Sequence, residues 1–322
     1  MKKLFVYLGV ALAILACSKP AVPVQEETNP QTEENEGDNP DNTDPGNTDP
    51  DPDPDPNPDP DPDPDPNPDP NPDPDPDPDP DPDEPKDGPQ LYNMSFDEWS
   101  KDGGYDVCYG ANATADEKAV WGSANSTTAG YGAPTVGPET SFLAVSGSGK
   151  AACKVQSNVV SILFIKKFAA GSIFNGHLGD VNILQGSATV HWGIPFTERP
   201  KSLEGYACYK PATIDNTQSP YGSMKGQTDK GHIFVILSDR QYAITPPNSL
   251  LDVDNDPGII GYGKVEFTSN MDSYEKFNIT IDYRDDRTPQ FVTIVGASST
   301  LGDYFTGGKG STLYMDEFKF LY

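Results

Sequence analysis

Apolar and polar residues alternate through most of the C-terminal two thirds of the chain, and the period is two. In Phe277-Asn278-Ile279-Thr280-Ile281-Asp282-Tyr283 the four apolar residues share one face and the polar ones the other, as a strand with one face in a core requires. Comparable short runs span 151–155, 161–165, 188–194, 233–237, 263–267, 291–295 and 313–322, separated by Gly, Pro or Asp turns. Residues 113–120 alone read as a short helix. Many short strands with a wet alternate face predict an all-β sandwich or jelly roll and exclude a parallel α/β fold. In the last strand Leu313 and Met315 are out of phase with Phe318, Phe320 and Tyr322, so a bulge is expected near Asp316-Glu317. Apolar residues continue to Tyr322, which predicts that the chain ends in a buried strand.

The N-terminal third follows other rules. Lys2 and Lys3 precede an apolar run from Leu4 to Leu15, the length of a signal-peptide core and too short to span a bilayer. Its end, Ile14-Leu15-Ala16-Cys17, resembles a bacterial lipobox, so residues 1–16 are expected to be a lipoprotein signal peptide and Cys17 the lipid-attachment residue. Several acyl chains on Cys17 would hold the protein on a membrane, at about 0.8 kcal/mol per buried methylene. No later stretch is apolar enough to span. Residues 17–90 form an acidic stalk dominated from 38 to about 82 by a two-residue repeat, Asp-Pro with occasional Asn-Pro. Proline removes every second N–H and forces the preceding residue to extended dihedrals, so neither helix nor sheet can form. Roughly 45 such residues reach ~140 Å as polyproline II. The stalk is therefore read as a disordered linker and spacer.

The charge follows this partition. The whole chain has 22 basic and 50 acidic residues, a net charge of −28, yet residues 91–322 hold 18 basic and 25 acidic, a net −7. The acidity belongs to the stalk, and no basic patch remains to bind nucleic acid.

A series of strings in residues 94–322 carries a resemblance. They run Met94-Ser95-Phe96-Asp97-Glu98-Trp99, Trp121-Gly122-Ser123-Ala124-Asn125, residues 170–176 (AGSIFNG), residues 193–200 (GIPFTERP) with Leu203-Glu204-Gly205-Tyr206, residues 295–299 (VGASS), residues 302–308 (GDYFTGG) and residues 310–318 (GSTLYMDEF). In this order and spacing they resemble the putative carbohydrate metabolism domain family of Bacteroidetes lipoproteins. The resemblance implies a jelly-roll-like β-sandwich over residues 91–322, similar to carbohydrate-binding modules, and an outer-membrane lipoprotein facing the cell exterior. It brings no established catalytic residues. Cys208 stands where the family more often has an aromatic.

Sugar recognition needs exposed ring faces beside fixed polar groups. The candidates are Trp121, Tyr206, Tyr209 and, in the Gly-rich loop 302–310, Asp303, Tyr304 and Phe305. Trp192 shares the apolar face of Ala188, Val190 and Ile194 and reads as core. Asp97 or Glu98 in the first strand and Asp316 in the last are candidate ligands for a structural calcium, since terminal strands of a sandwich are often neighbours. A glycoside hydrolase or lyase is the alternative to non-catalytic glycan binding, and Glu198, Glu204, Asp303 and Glu317 are its nominees, though a carboxyl pair about 5–9.5 Å apart cannot be read from spacing. A structural or adhesive surface protein is the third reading. His177, His191 and His232 form no metal-ligand spacing, and Ser298-Ser299 has no local base. Of the three cysteines after Cys17, Cys153 shares an apolar face and is expected as a buried thiol.

Overall fold

The computed structural model describes residues 87–145, 149–162, 165–182 and 187–322, all within one compact unit. The signal peptide, Cys17 and the stalk up to residue 86 lie outside the described residues. Asp87 to Gln90 are described, and they dock on the end of the chain. The Gln90 side-chain amide exchanges hydrogen bonds with the backbone of Phe320, Lys319 pairs with Asp87 at 2.7 Å, and the Tyr322 hydroxyl donates to the Pro89 carbonyl. The folded part thus takes in four residues that the sequence reading gave to the stalk.

In chain order the strands are β1 (Ser100–Asp102), β2 (Tyr105–Val107), β3 (Trp121–Ser123), β4 (Val136–Glu139), β5 (Ala152–Gln156) and β6 (Asn158–Ile162). Next come β7 (Ile165–Ala169), β8 (Ser172–Asn182), β9 (Ser187–Trp192), β10 (Ile194–Pro195), β11 (Ser202–Lys210) and β12 (Gly231–Ser238). The last six are β13 (Tyr242–Ile244), β14 (Ile259–Phe267), β15 (Glu275–Thr280), β16 (Asp282–Tyr283), β17 (Phe291–Ala297) and β18 (Thr312–Leu321). Five strands pair in the order β15-β11-β18-β5-β4. Nine form a second sheet along β13-β9-β8-β17-β12-β14-β16, with β10 on β17 and β3 on β8. Two two-stranded hairpins, β1–β2 and β6–β7, complete the set, and the registered pairs are antiparallel. This is an all-β sandwich.

The alternation read from the sequence explains the layers. Leu203, Ala207 and Tyr209 of β11, and Leu313, Met315, Phe318 and Phe320 of β18, face Ile233, Val235 and Leu237 of β12 and Val292 and Ile294 of β17 across the interior. Gly296 lets the sheets meet, because a Cβ there would lie 2.2 Å from the Met315 sulfur. The last strand carries the expected bulge: its register with β11 slips between Glu204 and Tyr206, and Glu317 takes a left-handed φ of 50°. That slip brings both apolar sets of β18 inward. Phe277, Ile279 and Ile281 are buried as expected, but the run changes sheets after Thr280, so β15 pairs with β11 and β16 with β14.

Two expectations are corrected. The apolar run 161–165 is not one strand; it straddles the β6–β7 hairpin, whose arms pair from Asn158↔Ala169 to Ile162↔Ile165. The helix predicted over 113–120 is one turn, Ala115–Lys118, held by a capping box between Thr114 and Glu117. A second turn, Asn125–Thr128, had no periodicity to reveal it. Among the described residues no helix is long and apolar enough to cross a membrane.

The nine-stranded sheet is buried on both faces. Phe174, Trp192, Phe234, Ile236, Tyr242, Ile244, Val295 and Ala297 form a second apolar cluster on the side away from the sandwich interior. This second face carries the site.

Candidate functional site

At one end of the second face two hollows adjoin. The smaller, about 70 Å³, is walled by Phe174, Trp192, His232, Phe234 and Ser299 and rimmed by Asp303. The larger, about 200 Å³, is a groove lined by Phe168, Val160, Leu178, Ala188 and Phe305. Ala170, Ser172, Val190, Gly302 and Asp303 line both.

The loop between them is fixed from below. Asp229, just before β12, is almost fully buried and accepts four hydrogen bonds. They come from Ser299 Oγ at 2.6 Å, Ser311 Oγ at 2.8 Å, and the amides of Gly308 and Lys230 at 2.8 Å each. Ser157 Oγ joins Ser298 Oγ and Ser299 Oγ to this network at 2.8 Å. Ser299 thus has an acidic partner that sequence reading missed, since Asp229 lies 70 positions away. A carboxylate that accepts three donors on Oδ2 and one on Oδ1 is a structural tie. Gly307 is required here, because a Cβ would lie 2.4 Å from the Phe168 ring. The outcome is a short 3₁₀ turn, Gly302–Tyr304, ended by Phe305 in the left-handed region with φ 51°.

Three residues that line the hollow carry polar groups with no partner among the described residues. Trp192 Nε1 and His232 Nδ1 are buried with no hydrogen-bond partner among the described residues. Although His232 as a residue is only half-buried, burial of its ring, aided by Lys264, pushes its pKa down to about 3, so the imidazole is neutral at physiological pH. Asp303 makes no hydrogen bond or ion pair with the described residues. Its residue is exposed as a whole, yet the protein atoms crowding its carboxyl raise its proton affinity above the ordinary carboxylate range. Trp192, His232 and Asp303 therefore line one small hollow, with the indole N–H and His232 Nδ1 buried just behind its surface. Buried polar groups normally find partners, since leaving one unmet costs about 1–3 kcal/mol. This arrangement can meet a hydroxyl-bearing ligand.

The other sequence candidates are distributed differently. Phe305 lines the groove, with Lys167 Nζ 4.0 Å from its ring centroid. Tyr304 turns aside and packs on Tyr221 at 4.7 Å. Tyr209 is fully buried between the sheets and its hydroxyl donates to the Ser298 carbonyl, so no ring face is left for a ligand. Tyr206 stands half-buried on the outer face of the five-stranded sheet, opposite Asp316 and Lys276. Trp121 is 5 % exposed, packs on Phe96 and donates from its indole to the Tyr92 carbonyl. It forms only the floor of a separate cleft of about 270 Å³ beside β1–β2. Asp102 and Asp106 both border that cleft, but the register Lys101↔Asp106 and Asp102↔Tyr105 puts them on opposite faces of the hairpin. Asp106 pairs with Lys101 at 2.6 Å, and Asp102 accepts from the Tyr109 hydroxyl.

Asp97 and Asp316 do approach, near enough for their charges to interact. Glu98 instead accepts from the Tyr92 hydroxyl. Asp97 already accepts from the Lys150 and Ala151 amides, and Asp316 from those of Ala144 and Glu317. Among the described residues no group of three acidic, His or Cys side chains is set to hold a metal ion. The carboxylates nominated for hydrolysis are scattered: Glu204 pairs with Lys276, Glu198 is exposed, Glu317 lies on the Asp97 side, and Asp303 is alone on the hollow. Cys108, Cys153 and Cys208 are buried free thiols, Cys153 as its apolar face implied.

The fold is a β-sandwich with a small hollow and an adjoining groove on the second face of its larger sheet. The chain belongs to the putative carbohydrate metabolism domain family, whose model matches residues 95–321. Among solved structures it is similar to a "putative glycoside hydrolase" from Bacteroides thetaiotaomicron, at 22 % identity and a TM-score of 0.49, over 63 % of this chain and 62 % of that one. A second "putative glycoside hydrolase", from Bacteroides vulgatus, shares 16 % identity at a TM-score of 0.49 over 74 % of this chain and 94 % of that one. A structure of carbohydrate-binding modules from the β-sandwich superfamily is more distant, at 12 % identity and a TM-score of 0.28 over 58 % and 52 %. A comparison with curated proteins finds no match.

Proposed function

We propose that this chain is a surface lipoprotein that binds a carbohydrate without turning it over, and that the Trp192–His232–Asp303 hollow is its sugar contact. The observation that carries the reading is that Trp192 and His232, each with a buried polar atom unpartnered among the described residues, line one hollow together with Asp303 on an otherwise apolar face. A sugar edge offers donors and acceptors together: a hydroxyl can accept from Trp192 Nε1 and donate to Asp303. Family membership supports the substrate class. Asp303 is the one carboxylate among the described residues lining the two hollows, whereas two-carboxylate glycoside hydrolysis requires a pair. In this reading Cys17 carries the lipid that moors the chain to the outer membrane, and the Asp/Pro stalk holds the sandwich clear of it.

A glycan array probed with the purified chain, followed by reducing-end release assays on each hit, tests the function. Binding without release is expected. Replacing Asp303 by Ala should weaken the hits by about ten- to a hundredfold, the loss of a hydrogen bond to a charged group worth about 1.5–3 kcal/mol. Undiminished affinity in the folded variant, or release of sugar, contradicts the reading.

A further inference from the structure

We infer that the carbohydrate taken by this site carries an apolar substituent, an aryl or short acyl group, which lies in the groove beside the hollow. The inference rests on the proposed sugar contact and adds what kind of sugar it is. Size argues first. At about 70 Å³ the hollow has less than half the volume of the ~150 Å³ cavity known to take benzene, so it admits one edge of a sugar and no more. The rest of the ligand must extend past Asp303, and Val190 and Gly302, common to both hollows, make the groove its continuation.

The lining argues second. Val160, Phe168, Leu178, Ala188 and Phe305 present apolar surface, and Val181 at the groove is 38 % exposed, unusual for a large hydrophobic among the described residues. The charged groups lining the groove are Lys167 and Asp303, and Lys167 is laid over the Phe305 ring. A second pyranose would have to bury hydroxyls against these aliphatic walls, at a cost for each one left unmet. An aryl or acyl group loses nothing there and gains by leaving water. The 200 Å³ groove is somewhat larger than the ~150 Å³ apolar cavity known to take benzene, so an aryl ring or a short acyl chain fits its volume.

The test is a calorimetric comparison of methyl and p-nitrophenyl glycosides of the same sugars (β-glucoside, β-galactoside, α-mannoside and N-acetyl-β-glucosaminide) with the full chain. The p-nitrophenyl member of a bound pair is expected to bind at least about tenfold tighter. Phe305→Ser and Ala188→Asp, each checked for an unchanged melting temperature, should erase that preference while leaving methyl-glycoside binding in place. Equal affinity within the pairs overturns this inference and leaves the sugar contact standing. No binding by either member overturns both. Binding of p-nitrophenol as tight as that of its glycosides also overturns it, since the sugar would then contribute nothing.

Discussion

Replacing Asp229 by Ala should destabilise the sandwich by about 3–5 kcal/mol. The carboxylate is 2 % exposed and accepts from Ser299, Ser311, Gly308 and Lys230, so its removal orphans four buried donors at once. Hydrogen bonds to a charged group contribute about 1.5–3 kcal/mol each. A full sum of four overshoots, because water can enter the space left by the carboxyl and the hydroxyls of Ser299 and Ser311 can turn to other acceptors. About 1 kcal/mol for each orphaned donor, which is the lower bound for an unmet buried group, gives the stated range. Asp229→Asn keeps the shape but can offer an acceptor to only one side of the network, so about half of that loss is expected. Urea denaturation followed by circular dichroism is the assay, with an unchanged m-value as the sign that only stability has moved. For a folded part of this size the melting temperature should fall by roughly 6–20 °C. An Asp229→Ala protein within 1 kcal/mol of wild type would show that the carboxylate is not the tie beneath the Gly-rich loop.

Other expectations follow from single contacts. Burial, the nearby Glu317 and Asp97 acting against two backbone donors, raises the pKa of Asp316 from 3.8 to about 6, so its charged form is disfavoured in the fold. Its contribution is therefore fully present below pH 3.8 and lost as pH rises through 6, a fall of about 3 kcal/mol at 1.36 kcal/mol per pKa unit. Asp316→Asn should flatten the stability profile between pH 4 and 7, and a slope as steep as wild type would refute this assignment. Asp97 and Asp316 each already accept from two backbone amides, so millimolar calcium should leave the melting temperature unchanged; a rise of several degrees would show that the two acids share an ion. Gly296→Ala should cost about 1–3 kcal/mol in denaturant melts through overpacking against Met315, and a neutral result would mean that the sheets can separate freely there. Cys17→Ala should move the protein from the washed membrane fraction to the soluble one, and its retention would sink the anchor.

The layers were legible because period-two alternation is local. Phe277, Ile279 and Ile281 declared their face, and the phase conflict in the last strand located its bulge to within a residue. The run 161–165 misled because the apolar pattern continues through a hairpin turn, so the signal for two strands looked like one. The strings that identify the family proved to encode buried ties more than ligand contacts. Asn125 bridges the Asp106 and Val136 carbonyls and the Thr135 and Val136 amides, and Asn175 links the Val120 carbonyl to the Ile294 amide. Trp121 and Tyr209 drew notice as aromatics, yet a ring facing the core and one facing a ligand have the same sequence signature. Asp303 and Phe305, nominated through their Gly-rich loop, do line the two hollows. Trp192 was correctly read as core, and the importance of its unpaired indole N–H appears only when the surrounding acceptors are placed in space. A hint of His232 was available: it shares parity with Phe234 and Ile236 in a run buried on both faces, where a polar residue is out of place.

The most direct test of the sugar contact is the indole N–H spectrum during glycan titration. The chain has three tryptophans. Trp99 and Trp121 already donate to the Phe96 and Tyr92 carbonyls, whereas Trp192 Nε1 has no partner. With nitrogen-15-labelled protein and a glycan chosen from the array, the Trp192 indole resonance should move with saturation while the other two stay in place. A Trp192 signal that stays fixed at saturation, or movement confined to Trp99 and Trp121, would contradict the account.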